Sequence, residues 1–185
     1  MEKAKDEGKP LNASMEVLGA LIYGFFQACI NLKYIAGEDV NRLVQDISPT
    51  GWYPLERYRQ LGEIVARSYS DAAPILERVG EEMMSGWYHM GPGKEIVKNG
   101  VGFLTFQTSS EGYQSVVKGP MDIVGNFSLE TIDVDNGTAI VVSSTPFDRN
   151  IERGVLIGGM KAPGDLSYVN VVNEANPDRF EIEFS

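Results

Sequence analysis

The sequence predicts an α+β fold in which a helical N-terminal half packs on a four-stranded antiparallel sheet. Apolar residues recur at helical spacing through the first half of the chain, and two hairpin patterns occupy its C-terminal part. An apolar segment of helical length separates the two hairpins. The C-terminal part therefore has the predicted order strand, strand, helix, strand, strand.

The first hairpin joins segments 126–134 and 138–144 through Asp135-Asn136-Gly137. Asn-Gly between two apolar-rich segments supplies the positive φ angles of a tight type I′ turn. In the second hairpin, segment 166–172 precedes segment 179–184. The last segment alternates apolar residues with glutamates, which predicts a strand with one buried and one solvent-facing side.

Segment 147–161 lies between the hairpins, and its apolar residues suit either a helix or a strand. Asp148 at its start favours a helix, because an acidic residue is stabilised near a helix N-terminus. Gly154 and the pair Gly158-Gly159 indicate either a close approach to the sheet or a cavity wall. We expect close packing, because small residues let two elements approach each other.

The N-terminal half is predicted to contain six helical segments. Their boundary signals are polar residues that cap N-termini, Pro in a first turn and Gly at a C-terminus. In chain order they are a helix capped by Asn12 or Ser14 that ends at Gly37, a short helix with Val40, Leu43, Val44 and Ile47 on one face, a helix whose first residue is Pro54, a helix capped by Ser70 or Asp71 that ends at Gly91-Pro92-Gly93, segment 94–106 and segment 109–117. Residues 1–11 are predicted to be a disordered tail, and 12–185 a single domain.

The composition excludes several classes of partner and site. The chain has 26 acidic and 16 basic residues and a net charge of −10, which repels nucleic-acid phosphates and anionic membrane surfaces. One cysteine and one histidine rule out an intrachain disulfide and any site that needs two imidazoles. The apolar stretch 17–26 is too short to span a membrane and follows a segment of mixed charge, so we expect a cytoplasmic protein.

Two short motifs accompany this order of elements. Trp52-Tyr53-Pro54 lies at the start of the third predicted helix, and Phe103-Leu104 lies in the fifth helical segment. With these features, residues 15–184 resemble the haem nitric-oxide/oxygen binding (H-NOX) domains. The resemblance extends to their relatives, the 4-vinyl-reductase-type ligand-binding domains and the Bet3-like subunits of vesicle-tethering complexes. The chain is also similar to a family of myxobacterial domains of comparable length with a Tyr-Pro near a helix start.

The resemblance does not carry the haem site of H-NOX domains with it. In those domains the iron-binding histidine lies eight residues after the Phe of a Phe-Leu pair, and here that position is Glu111. The propionate-binding pattern Tyr-x-Ser-x-Arg falls on 142–146, where only Ser144 matches, and Arg149 lies three residues too late. A carboxylate is a poor haem ligand compared with imidazole. We therefore predict no cofactor and no metal, with haem as the alternative.

The resemblance implies an apolar chamber between the helices and the sheet. Such cavities are lined mainly by apolar and aromatic side chains with a few polar groups. For any one of these residues, a place in a filled core competes with a place at the cavity. The predicted ligand-binding residues are Phe25, Phe26, Tyr58, Met83, Met84, Trp87, His89, Phe103, Phe106 and Glu111.

The resulting prediction is a haem-free small-molecule-binding or sensory module that signals through contacts with a protein partner. A hydrophobic small molecule or a lipid is the expected ligand. One alternative is a structural or tethering adaptor that forms a homodimer through its helices, and another is a haem-based gas sensor with a non-standard ligand. His89 lies near a predicted helix C-terminus and is expected to cap backbone carbonyls there. The sequence shows no pairing of a nucleophile with a base that would indicate an enzyme.

Overall fold

The computed structural model describes residues 14–34 and 38–185. The described helices are α1 (Gly19–Asn31), α2 (Glu38–Val44), α3 (Leu55–Ser68), α4 (Ala73–Met90), α5 (Gly93–Ile96), α6 (Gly100–Gln107), the 3₁₀ helix η1 (Tyr113–Ser115), α7 (Met121–Val124) and α8 (Arg149–Lys161). The described strands are β1 (Glu16–Leu18), β2 (Trp52–Pro54), β3 (Val117–Lys118), β4 (Phe127–Asp133), β5 (Thr138–Ser143), β6 (Val169–Val172) and β7 (Arg179–Phe184). The predicted tail at 1–11, the cap at Asn12 and the helix end at Gly37 lie outside the described residues.

The two C-terminal hairpins form one four-stranded antiparallel sheet in the order β4-β5-β7-β6. Strands β5 and β7 join the hairpins, with Val141 opposite Phe180. The apolar residues of β7 are buried and its glutamates are exposed, because successive side chains of a strand point to opposite faces. Helix α8 lies between the hairpins in the chain. The predicted α+β class and the order β-β-α-β-β are confirmed.

The turn of the first hairpin differs from the prediction. Gly137 has a φ of 64°, but Asn136 keeps a negative φ, so the turn is not type I′, which needs positive φ at both central residues. The backbone N–H of Gly137 donates to the carbonyl of Val134 at 3.3 Å. The Asp133 carboxylate accepts hydrogen bonds from the backbone N–H and the side-chain amide of Asn136. These bonds hold Asn136 in its ordinary backbone conformation and leave only Gly137 with a positive φ.

Helix α8 packs closely on helix α4 through glycines. A Cβ on Gly154 would lie 1.9 Å from the backbone oxygen of Glu77, and a Cβ on Gly80 would lie 2.3 Å from that of Ile151. Such distances are accessible only without a side chain, so these glycines set the spacing of the two helices. The predicted close approach is correct, but the partner at Gly154 is a helix and not the sheet, since two facing glycine-lined backbones can touch directly.

A second, three-stranded sheet occurs in the N-terminal half and was not predicted. Strand β1 pairs antiparallel with both β2 and β3. Helix α1 consequently begins at Gly19 after this strand, and not after a cap at Asn12 or Ser14. Each strand has at most three residues, which is too short for a visible alternation of apolar and polar side chains. The small sheet ties the start of α1 to the start of α3 and to the end of η1.

Other predicted boundaries also need correction. Segment 94–106 is divided between two helices, α5 and α6. The division falls at Asn99, whose side chain caps α6 by accepting a hydrogen bond from the backbone N–H of Gly102 at 2.6 Å. Segment 109–117 contains only η1 and the first residue of β3. Pro54 ends β2 and precedes α3, instead of being its first helical residue. No helix in the described residues is long and apolar enough to cross a membrane.

Candidate functional site

A cavity of about 980 Å³ lies between the helical half and the first two turns of α8. Its walls come from α1, α4, α6, η1 and α8, with single residues of other elements completing them. The lining is mainly apolar, and exposed residues such as Met90, Pro92 and Glu111 form its mouth. The apolar and aromatic lining side chains include Leu18, Leu21, Tyr23, Tyr58, Met83, Met84, Trp87, Phe106, Tyr113, Val116, Phe127, Phe147, Ile151 and Val155. This volume and lining match those of small-molecule sites.

One side of the mouth is held by a chain of hydrogen bonds between α1 and α4. The Gln27 amide donates to the side-chain oxygen of Asn31 at 2.9 Å, and the Asn31 amide donates to the Glu82 carboxylate at 2.9 Å. All three residues line the cavity. The mouth therefore combines polar groups with the apolar side chains behind them.

The inner end of the cavity contains a buried carboxylate. Glu152 is only 6% exposed, because it lies on helix α8, which packs into the core. Its Oε1 accepts hydrogen bonds from the hydroxyls of Ser143, at 2.9 Å, and Thr145, and its Oε2 accepts one from the guanidinium of Arg149 at 2.9 Å. Arg149 also donates to the Asp178 carboxylate at 2.8 Å. Strand β5, the following loop and the first turn of α8 together position this group.

Burial raises the pKa of Glu152 from 4.5 to about 7. Removal of water disfavours the charged carboxylate, and the hydrogen bonds from Thr145, Ser143 and Arg149, together with the Arg149 charge, offset that effect only in part. Glu152 therefore titrates near neutral pH. A carboxyl group of this kind can hold either a proton or a hydrogen-bond donor in the cavity.

Two buried tyrosines flank the carboxylate. The Tyr58 hydroxyl has a weak partner, the sulfur of Met83 at 4.0 Å, whereas the Tyr113 hydroxyl donates to the backbone oxygen of Val124. Burial is the main cause that raises the pKa of both phenols, and the Glu152 charge raises it further. Both rings contact the edge of Phe147 in T-shaped geometry, at centroid distances of 5.1 and 5.9 Å. Among the described residues, the Tyr58 hydroxyl thus has only a weak hydrogen-bond partner at the cavity.

The structure brings six of the ten predicted ligand-binding residues together around the cavity. They are Tyr58, Met83, Met84, Trp87, Phe106 and Glu111. The ring of Trp87 stacks on Phe106 with a centroid distance of 5.2 Å, so these two form one aromatic wall. Glu111 is exposed at the mouth.

The other four predicted residues are not part of the lining. Phe25 is completely buried beside Tyr58, and Phe103 is completely buried beside Trp87, so both support lining residues from behind. Phe26 is partly buried against the core. His89 is exposed in the last turn of α4, where its ring contacts that of Tyr88.

Sequence reasoning did not select Glu152, Ser143, Thr145 or Tyr113 for the site. One signal was present for Glu152, which lies four residues before Leu156 and therefore on the same face of α8 as a buried leucine. A carboxylate on an apolar helix face indicates a buried polar network or a functional site. The two hydroxyl residues gave no such signal, because serine and threonine at a strand end are ordinary.

The residues at the cavity do not fit the haem that the H-NOX resemblance implies. No histidine or cysteine is among the lining residues, all of which belong to the described part of the chain, and His89 is exposed outside it. No lysine or arginine lines the cavity to receive the two propionates of haem, whereas three glutamates do. Within the described residues, no group of three or more His, Cys, Asp and Glu side chains could hold a metal ion.

Comparison with known proteins shows the fold at low sequence identity. No protein-family model and no curated protein matches the chain. An H-NOX protein from S. oneidensis in the Fe(II)NO state matches with a TM-score of 0.66 and 12% identity over 91% of this chain and 99% of that one. An oxygen-binding H-NOX domain related to soluble guanylate cyclases matches with a TM-score of 0.62 and 14% identity over 90% and 94%.

A third solved structure, a single-residue variant of Tt H-NOX, is similar as well. It matches with a TM-score of 0.64 and 15% identity over 91% of this chain and 95% of that one. The three matches cover nearly the full length on both sides. The chain therefore has the fold of H-NOX domains, as its sequence predicts.

Proposed function

We propose that this chain is a haem-free sensory module that binds a small apolar molecule in the central cavity. The observation that carries the proposal is the cavity itself, which has about 980 Å³ of space, a mainly apolar lining and an open mouth. A filled core would leave no such space, because protein interiors are normally close-packed. The H-NOX-like fold supports the proposal, since two of the similar proteins are named as an oxygen-binding domain and as a protein in the Fe(II)NO ligation state.

The cavity wall also provides a way for an occupant to act on a partner. Met90 is 91% exposed and Ile96 is 47% exposed, yet both also line the cavity. A ligand that contacts these residues from inside changes the surface that a protein partner meets from outside. The ligand can favour one state of this surface over another only to the extent that it binds the two states with different affinity. Signalling through protein contact is therefore part of the proposal.

Purification from haem-supplied cells tests this function. The protein and the S. oneidensis H-NOX protein, as a control for haem loading, are prepared in parallel and compared by absorption spectroscopy and native mass spectrometry. We expect no Soret band for this chain and one bound organic molecule, or one equivalent of the neutral apolar dye Nile red taken up on addition. A His89→Ala variant should behave identically.

Two outcomes would contradict the proposal. A Soret band of one haem per chain would establish the haem-based alternative, and its loss in His89→Ala would identify the ligand. A chain that takes up neither haem nor any apolar molecule, and that runs as a tight dimer in the same mass spectra, would establish the adaptor alternative.

A further inference from the structure

The charges around the cavity restrict the class of ligand. Glu82, Glu111 and Glu152 line it, and no lysine, arginine or histidine does so among the described lining residues. An anionic ligand would therefore lose its hydration next to carboxylates without gaining a cation. A neutral ligand avoids that penalty, and the desolvation cost of a cationic ligand is offset by its attraction to the carboxylates of the lining.

Arg149 does not reverse this charge balance. Its guanidinium is shared between Glu152 and the Asp178 carboxylate, at 2.9 and 2.8 Å. It also donates to the backbone oxygens of Thr145 and Phe147. Asp148, which caps α8, adds another negative charge nearby. The Arg149 guanidinium is therefore already paired with Glu152, which lines the cavity, and with Asp178, which is exposed outside it, so it offers no unpaired cation to an anionic ligand.

The inner polar groups retain capacity for a ligand. A carboxylate oxygen can accept about two hydrogen bonds, and Oε1 of Glu152 already accepts two. Oε2 accepts one, from Arg149, so one lone pair is left. The Tyr58 hydroxyl has only the Met83 sulfur as a partner in the described residues, and thioether sulfur is a weak acceptor. A donor group at the inner end would improve the hydrogen bonding of both.

We propose that the ligand is a cationic amphiphile, an apolar amine, whose ammonium group donates to Oε2 of Glu152 at the inner end of the cavity. Its hydrocarbon part occupies the space between α1, α4 and α6, against Met83, Met84 and Trp87. This inference rests on the proposed function and specifies its ligand class. The Tyr58 hydroxyl is the second acceptor for the ammonium group.

A matched series of ligands tests this inference. Decylamine, decanol and decanoic acid have the same chain length and differ in headgroup, and each is titrated below its micelle concentration against the protein loaded with Nile red. We expect decylamine to displace the dye at a concentration at least about tenfold lower than decanol, with decanoic acid weakest, which corresponds to about one charge-assisted hydrogen bond.

The ligand series separates failure of the two proposals. If Nile red does not bind and none of the three compounds binds, the proposed function and this inference both fail. If the compounds bind but the acid is equal to or stronger than the amine, or the amine equals the alcohol, the cavity function stands and this inference is overturned.

A pair of variants shows whether Glu152 provides the preference. Glu152→Gln should reduce the ratio of amine to alcohol affinity to near one while decanol binding persists. Glu181→Gln changes the net charge by the same amount on the exposed face of β7 and should leave the ratio unchanged. Equal losses in both variants would assign the preference to the net charge of −10 and overturn the inference. If Glu152→Gln does not fold, as judged by circular dichroism, the wild-type series decides alone.

Discussion

The two halves of helix α4 do different work. Its first half packs on α8 so closely that Gly80 has no room for a methyl group, and the Glu77 carboxylate pairs there with the guanidinium of Arg153. Its second half carries Met83, Met84 and Trp87 along the cavity wall, where a Cβ on Gly86 would have no atom within 4 Å. The tight crossing with α8 therefore fixes the first half of α4, and the second half forms one wall of the cavity.

The largest expected effect comes from disturbing the tight half. Gly80→Ala places a Cβ 2.3 Å from a backbone oxygen and about 3 Å from two more backbone atoms of α8, so the helices must separate. We expect the free energy of unfolding to fall by about 3 kcal/mol or more, the upper end for overpacking. Urea denaturation followed by circular dichroism measures it.

Gly86→Ala is the matched control on the same helix. Its Cβ meets nothing within 4 Å, so only the helix propensity changes, and we expect a gain of about 0.5–1 kcal/mol. If both variants lose stability equally, or if Gly80→Ala is neutral, the contrast between the two halves of α4 is wrong.

The buried carboxylate at the end of the cavity predicts an intermediate effect, on the pH dependence of stability. Because burial raises the pKa of Glu152 from 4.5 to about 7, the folded state binds this proton more tightly than the unfolded chain does. The protonated Glu152 side chain stabilises the folded state fully below pH 4.5. This stabilisation, of up to about 3 kcal/mol, is lost as the pH rises through 7, and at higher pH Glu152 no longer changes the stability.

The Glu152→Gln variant isolates that contribution. As the pH rises from 4.5 to 7, the free energy of unfolding of the wild type should fall relative to that of the variant. Glu181→Gln, at an exposed site, should run parallel to wild type at every pH. A wild-type curve parallel to that of Glu152→Gln would show that the carboxyl group is not perturbed. The Arg149 charge acts on Glu152, so salt should be held constant.

The sequence predicts those parts of the fold that depend on local patterns. The alternation of Phe180 and Ile182 with glutamates and the acidic cap at Asp148 are each contained within a few residues, and both led to the correct element. The β1 strand, in contrast, exists because Val17 lies between Tyr53 and Val117, which are distant in the chain. Periodicity carries no information about such pairing.

The site was predictable to a similar, limited extent. The resemblance to H-NOX domains indicated large apolar residues of the helical half as lining candidates, and Trp87 and Phe106 do line the cavity. Whether a side chain lines the cavity or supports it from behind depends on the assembled packing, as for the buried Phe103, whose ring lies against Gly159 of α8. That packing is a property of the assembled core, and so is the burial of Glu152.

Blocking the cavity tests the central claim most directly. Gly86→Phe and Gly62→Phe add the same side chain at helical glycines with no atom within 4 Å of the new Cβ, but only Gly86 lines the cavity. Titration with Nile red should give one site per chain for wild type and Gly62→Phe, and at least about tenfold weaker binding for Gly86→Phe. Equal binding by both variants, or an equal loss in both, would contradict the assignment of this cavity as the ligand site.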